Sequence, residues 1–97
     1  MDPDLPDFTI ADVVVTTAGR DAGSLFYVLE TDGIWLTLVN GKDRRIEKPK
    51  RKKCKHVKKV LRSETRVAEK LRSGDKVLNS ELRRDLAYLS RDNSLGG

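Results

Sequence analysis

Between Ile10 and Val39 the chain alternates short apolar runs with tight-turn residues. Ile10 to Thr17 is rich in β-branched residues, Leu25 to Thr31 follows, and Ile34, Leu36 and Leu38 then alternate with Trp35 and Thr37. Runs of this kind predict three short strands. Asp32-Gly33 lies between the second and the third and predicts a type I′ hairpin turn, with positive φ at both central residues. Asn40-Gly41 is a signal of the same kind. It leads into an expected strand around Ile46, from Arg44 to Lys48, which Pro49 interrupts because proline cannot donate to a ladder. A fifth strand is expected from Cys54 to Val60. Short strands spaced by tight turns predict a small antiparallel β-barrel of about five strands, since closure removes exposed edges. Val13, Val15, Phe26, Val28, Leu36, Leu38, Ile46 and Val57 are the expected interior. Leu25, Tyr27 and Leu29 are apolar as well, so something must cover the outside of the second strand.

The C-terminal third supplies that cover. Ser63 is expected to cap a helix over Glu64 to Arg72, with Val67 and Leu71 on one face and a stop at Ser73-Gly74. Asn79 or Ser80 then caps a second helix, whose Glu81 complements the positive helix start. Leu82, Leu86 and Leu89 recur at i, i+4 and i+7, opposite Arg83, Arg84, Asp85 and Arg91. That stripe either packs on the sheet or meets a partner helix, and a monomer is expected. The fold class is therefore mainly β with one or two packed C-terminal helices. Its expected divisions are a flexible acidic leader at 1–8, the barrel at 9–60, a helical extension at 61–92 and a tail at 93–97.

A chain of 97 residues has room for one small core. No stretch approaches the roughly 20 apolar residues of a membrane span. The opening Met1-Asp2-Pro3-Asp4-Leu5-Pro6-Asp7 has neither the basic start nor the apolar run of a secretory signal, and Cys54, alone, cannot form an internal disulfide. A cytoplasmic protein in a reducing compartment is expected.

Charge changes the picture more than composition does. Residues 42 to 60 hold eleven basic side chains against Asp43 and Glu47, a formal +9, while the whole chain is +5 and the remainder therefore −4. The eleven are Lys42, Arg44, Arg45, Lys48, Lys50, Arg51, Lys52, Lys53, Lys55, Lys58 and Lys59. A surplus confined to one stretch implies a local positive field and a polyanionic partner, nucleic acid first; a solvated basic face or a disordered basic tail is the alternative. The loop Ala18-Gly19-Arg20-Asp21-Ala22-Gly23 joins the first two strands. Its glycines allow a tight turn that brings backbone N–H groups close to a ligand, and Arg20 offers a planar charged fork suited to phosphate. An ordinary hairpin loop with an Asx turn at Asp21 remains open beside that reading.

Catalysis finds little support. Cys54 and His56 form a Cys-x-His pair, but two ligands fall short of a zinc site, the surrounding lysines oppose a cation, and no third group orients a nucleophile. Neither metal nor cofactor is expected. A proline-peptide adaptor would need an aromatic-lined groove, and the chain has five aromatic residues. Pro49 to Lys53 is also of a kind read as an import signal or as an anionic-membrane contact.

The strand from Ala11 to Val15, the AGRDAG loop, the apolar strand to Glu30 and the segment IEKPKRKKCKHV at 46–57 together resemble the KOW-motif RNA-binding proteins. These include bacterial stand-alone KOW proteins and the archaeal and eukaryotic large-subunit ribosomal protein numbered fourteen. The resemblance covers roughly residues 8 to 60, and Glu81-Leu82-Arg83-Arg84 also looks like the tail of the bacterial members. One departure is Ala11, where many relatives have glycine. The resemblance implies an SH3-like barrel that binds structured RNA, usually ribosomal, without catalysis. It makes Gly19, Arg20 and Gly23 the loop contact and the segment from Lys48 to Lys59, with His56, a second basic contact. Asp21 would brace the loop, because a carboxylate repels phosphate. Tyr27 and Trp35 are the candidates for stacking on bases, with a buried structural role as the alternative.

Overall fold

The computed structural model describes residues 7–20 and 22–92. Residues 1–6 of the expected 1–8 leader, Asp21 and the tail at 93–97 lie outside the described residues. Five strands, β1 (Asp12–Thr16), β2 (Leu25–Thr31), β3 (Trp35–Val39), β4 (Lys50–Lys53) and β5 (Val57–Arg62), form one antiparallel sheet in the order β4-β3-β2-β1-β5. Two helices follow, α1 (Arg66–Ser73) and α2 (Asn79–Asp92).

Both faces of this sheet are buried, each by different residues. Phe8, Val14, Phe26, Val28, Leu36, Leu38 and Val57 form an inner cluster drawn from four strands and the N-terminal segment, with no helix residue in it. The sheet must curl over that cluster. The curl stops short of closure, because β4 and β5 remain the two edges and the expected closed barrel is not formed. Val13, Tyr27 and Val39 face the other way and meet Val67, Leu71, Leu82, Leu86 and Leu89 of the helices. The leucine stripe therefore packs within the chain.

Several sequence expectations shift against this frame. Val14, one residue along from the expected Val13 and Val15, is the inner residue of β1, since it pairs with Phe26 while Val13 pairs with Tyr27. A one-residue slip moves every side chain to the opposite face, and an unbroken valine run cannot signal which phase is used. Ile46 packs on the helix side, outside the inner cluster. Phe8, placed in the leader by its sequence, is only 8% exposed.

No strand forms from Arg44 to Lys48, because the donors there are taken by turns. The Asn40 side-chain oxygen accepts from Lys42 N and Arg44 N, each at 2.9 Å, and Lys48 N donates to Arg45 O at 2.9 Å. Ile46 N donates to the Asn79 side chain at 2.9 Å. The fourth strand instead begins just beyond Pro49, and Cys54–His56 forms a 3₁₀ turn before β5. At the β2–β3 turn only Gly33 has positive φ; Asp32 shapes it by accepting from Ile34 N and Trp35 N at 3.0 and 2.8 Å. These bonds, Trp35 first, hold the Asp32 carboxyl below its usual range. Ala11 enters β1 at φ 71, where a non-glycine residue costs about 1–2 kcal/mol.

The cap of α1 is Thr65, whose hydroxyl accepts from Ala68 N at 3.2 Å, and Gly74 ends the helix in the left-handed region. Ser63 serves elsewhere. It shares a buried network with Tyr27, 2.9 Å from its hydroxyl, and that hydroxyl also donates to Asp85 of α2, which Thr65 bonds at 2.8 Å. Asn79 holds the 40–49 loop, donating to Glu47 at 2.8 Å, while Glu81 reaches back to Leu78 N at 3.0 Å, half of a capping box. Glu81 also pairs with Lys70 at 2.9 Å, which, with the Leu78 bond second, lowers its pKa.

Burial, reinforced by the hydrogen bond to Asp85, pushes the Tyr27 hydroxyl up to about 12. Because the folded-state value is the raised one, this contribution is intact below the ordinary pKa near 10 and is lost as pH rises towards the folded value. The expected result is a drop in midpoint between about pH 10 and 12 that Tyr27→Phe makes shallower. Thermal melts of both proteins across that range check it, with equal slopes as the contrary outcome.

Candidate nucleic-acid interface

The loop between β1 and β2 closes on itself. Gly23 N donates to Thr16 O at 2.8 Å and Ala22 N to Gly19 O at 3.2 Å, so these two amides are spent inside the turn and do not face a ligand. Gly19 and Gly23 both have positive φ, 88 and 90, which is the reason for glycine at each position. Among the loop's described residues, the charged group offered outward is the exposed Arg20 side chain.

Three parts of the basic segment meet the loop. At its Gly19 end, Lys52 donates from Nζ to Ala18 O at 2.7 Å, and a Cβ on Gly19 would lie 3.1 Å from that nitrogen. Lys52 pairs with inward-facing Leu36 across β3–β4, so the lysine stem lies on the inner side of the sheet and its ammonium ties the β4 edge to the loop. Thr17 N also donates to His56 O at 2.9 Å, which places the 3₁₀ turn and exposed Lys55 beside the loop's first strand. At the other end, Gly23 shares a shallow recess with Lys42 from the 40–49 loop and Arg83 from α2. Arg83 was visible in the sequence only as part of the polar face of α2, and nothing in the spacing tells that α2 carries it to Gly23.

The remaining basic residues divide. Lys59 is committed internally: it pairs with the fully buried Asp12 at 3.2 Å and donates to Asp7 O at 2.6 Å, pinning the N-terminal segment. Arg51 and Lys53 lie over Trp35, 5.1 and 5.4 Å from its ring centre. Lys58 is exposed on the β5 edge, Lys50 is half-buried on β4, and Arg44, Arg45 and Lys48 lie in the loop that docks on the start of α2. Arg20, Lys42, Arg45, Lys48, Lys53, Lys55 and Lys58 form no ion pair among the described residues. Basic side chains nearer the C-terminus behave differently, as Arg62, Lys70 and Arg72 each pair with a glutamate. Those seven side chains therefore carry positive charge that no described carboxylate pairs with.

Of the two stacking candidates, Tyr27 is fully buried and cannot meet a base, whereas Trp35 is half-buried at the surface. Cys54 and His56 lie on the 3₁₀ turn, and Cys54 Sγ contacts Gly33 O at 3.7 Å. Among the described residues, no group of three or more His, Cys, Asp or Glu side chains is placed to hold a metal ion, and no helix is long and apolar enough to cross a membrane.

Lys52→Met is expected to cost about 1 kcal/mol globally, since one charged hydrogen bond to a carbonyl is lost. Its larger effect is local, a rise in amide hydrogen exchange confined to the 17–23 loop. Unchanged exchange there would show that Lys52 does not hold the loop. No protein-family model matches this chain, and no curated protein matches it.

Proposed function

We propose that this chain is a non-enzymatic RNA-binding protein of the KOW kind. Its partner is a structured RNA, ribosomal RNA first, and the curled five-stranded sheet is an SH3-like barrel left open between β4 and β5. The observation that carries the reading is the convergence on one loop: Arg20 stands between Lys52, Lys55 and His56 at one end and Lys42 with Arg83 at the other. Cationic groups that pair with no carboxylate among the described residues neutralise phosphates and release counterions, which makes binding steep in salt and mild in sequence preference. A flat cluster of this kind suits the backbone of a folded RNA better than the edges of its bases. It would act in the cytoplasm, on the ribosome or another RNA of the translation machinery.

Crosslinking in cells followed by sequencing of the attached RNA tests this, with binding of the recovered RNA repeated across a salt series. The expected result is enrichment of a defined structured RNA and an affinity that falls steeply with salt. Recovery no greater than for an unrelated basic protein, or binding indifferent to salt, would overturn the proposal.

A further inference from the structure

We infer that Trp35, with Arg51 and Lys53, forms a seat for one unpaired RNA base, separate from the phosphate contacts around the Gly19–Gly23 loop; this rests on the RNA-binding reading above. The sheet register builds the seat. Thr37 stands opposite Glu30 on one side and Arg51 on the other, and Trp35 stands opposite Lys53. One face of the β2–β3–β4 end thus presents a carboxylate, a hydroxyl and a guanidinium in order across the strands, with the indole one pleat further along. The helices cover this face over Val13, Tyr27 and Val39. They leave uncovered a recess where Trp35 lines the wall with Ile10, Glu30, Asp32, Thr37 and Arg51.

A half-buried indole flanked by two cations matches the two halves of a nucleotide. The base takes the place over the indole where Arg51 and Lys53 lie in the free protein, and the two cations turn to its phosphate. Glu30 and Asp32 set the direction. They stand on the β2 side and repel phosphate, so the base lies towards the β2–β3 turn and the backbone runs along β4. That path continues to the loop, because Cys54 N bonds Ile34 O at 2.8 Å and Thr17 N bonds His56 O at 2.9 Å, which makes the 3₁₀ turn a bridge between the two contacts. A continuous duplex hides its base faces, so the ligand is a loop or bulge in the RNA.

Trp35 is the only tryptophan, so its fluorescence reports this seat alone. The full chain is titrated with a hairpin RNA carrying an unpaired loop and with a blunt duplex of equal phosphate number. The expected result is quenching by the hairpin and none by the duplex. Trp35→Leu lowers affinity for the hairpin about tenfold with an unchanged salt slope, and Trp35→Phe restores most of it. Hairpin binding without quenching overturns the seat, as does a folded Trp35→Leu protein that binds the hairpin like wild type. If the wild type binds neither RNA, the RNA-binding reading itself falls. Quenching by a proline-rich peptide with none by either RNA overturns the seat in favour of a peptide groove.

Discussion

Gly41→Ala is expected to lower stability by about 2–5 kcal/mol, more than its exposed neighbours would suggest. Gly41 is buried at φ 75, and a Cβ there would lie 2.1 Å from the carbonyl oxygen of Asn79 and 3.0 Å from Leu82 Cβ. The oxygen belongs to the backbone at the start of α2 and cannot swing aside. A left-handed alanine costs about 1–2 kcal/mol, and moving the helix start adds about 1–3 kcal/mol through disturbed packing. The helix start is also where Asn79 bonds Ile46 N and Glu47, so the whole 40–49 loop is disturbed with it. Gly23→Ala is the control, because its φ is 90 and a Cβ would meet nothing within 4 Å. That variant should lose only the conformational part, about 1–2 kcal/mol. At about 4–8 °C per kcal/mol for a domain of this size, thermal melts separate the two readily. Equal losses would mean that α2 is not seated on the Gly41 turn.

Replacing Arg20, Lys42 and Lys55 together with glutamine is expected to weaken RNA binding by roughly two orders of magnitude near physiological salt. The three are exposed, come from three separate segments, and surround one loop. Each lost phosphate contact removes about 0.7–0.9 from the slope of log affinity against log salt, so the triple variant should shallow it by about 2–3. None of the three packs in either apolar cluster, so the melting midpoint should hold. Binding isotherms at several salt concentrations test this, with Lys59→Gln as the contrast. Lys59 is tied to buried Asp12, and its removal should cost stability first and RNA affinity only secondarily. A triple variant with the wild-type slope would remove the loop from the interface.

The expected strands at Leu25–Thr31 and Ile34–Val39 match β2 and nearly match β3, and the leucine stripe of α2 lies buried, because alternation and helical spacing are local properties that a short window carries. The phase of β1 was not legible, since Val13, Val14 and Val15 offer the same side chain to either face. Nor was the 40–49 turn, where Ile46 looks like a strand residue but its amide donates to Asn79, 33 positions away. Ser63 reads as a cap for the same reason that Thr65 is one. Only Tyr27, brought in by β2, draws the Ser63 hydroxyl into the core network.

The amino-acid order alone determined the quantity of basic charge, its confinement to residues 42–60, and the glycine-bounded loop that carries Arg20. Charge and turn chemistry are properties of residue type and immediate neighbours. Tertiary structure decided which of those charges act together. It turned Lys52 and Lys59 inward as braces, brought Arg83 and Lys42 to Gly23 from separate parts of the chain, and left Trp35 beneath two cations where the helices end. Those outcomes depend on sheet register and on where α2 docks. Both are set by apolar contacts between residues far apart in sequence, and no local pattern encodes them.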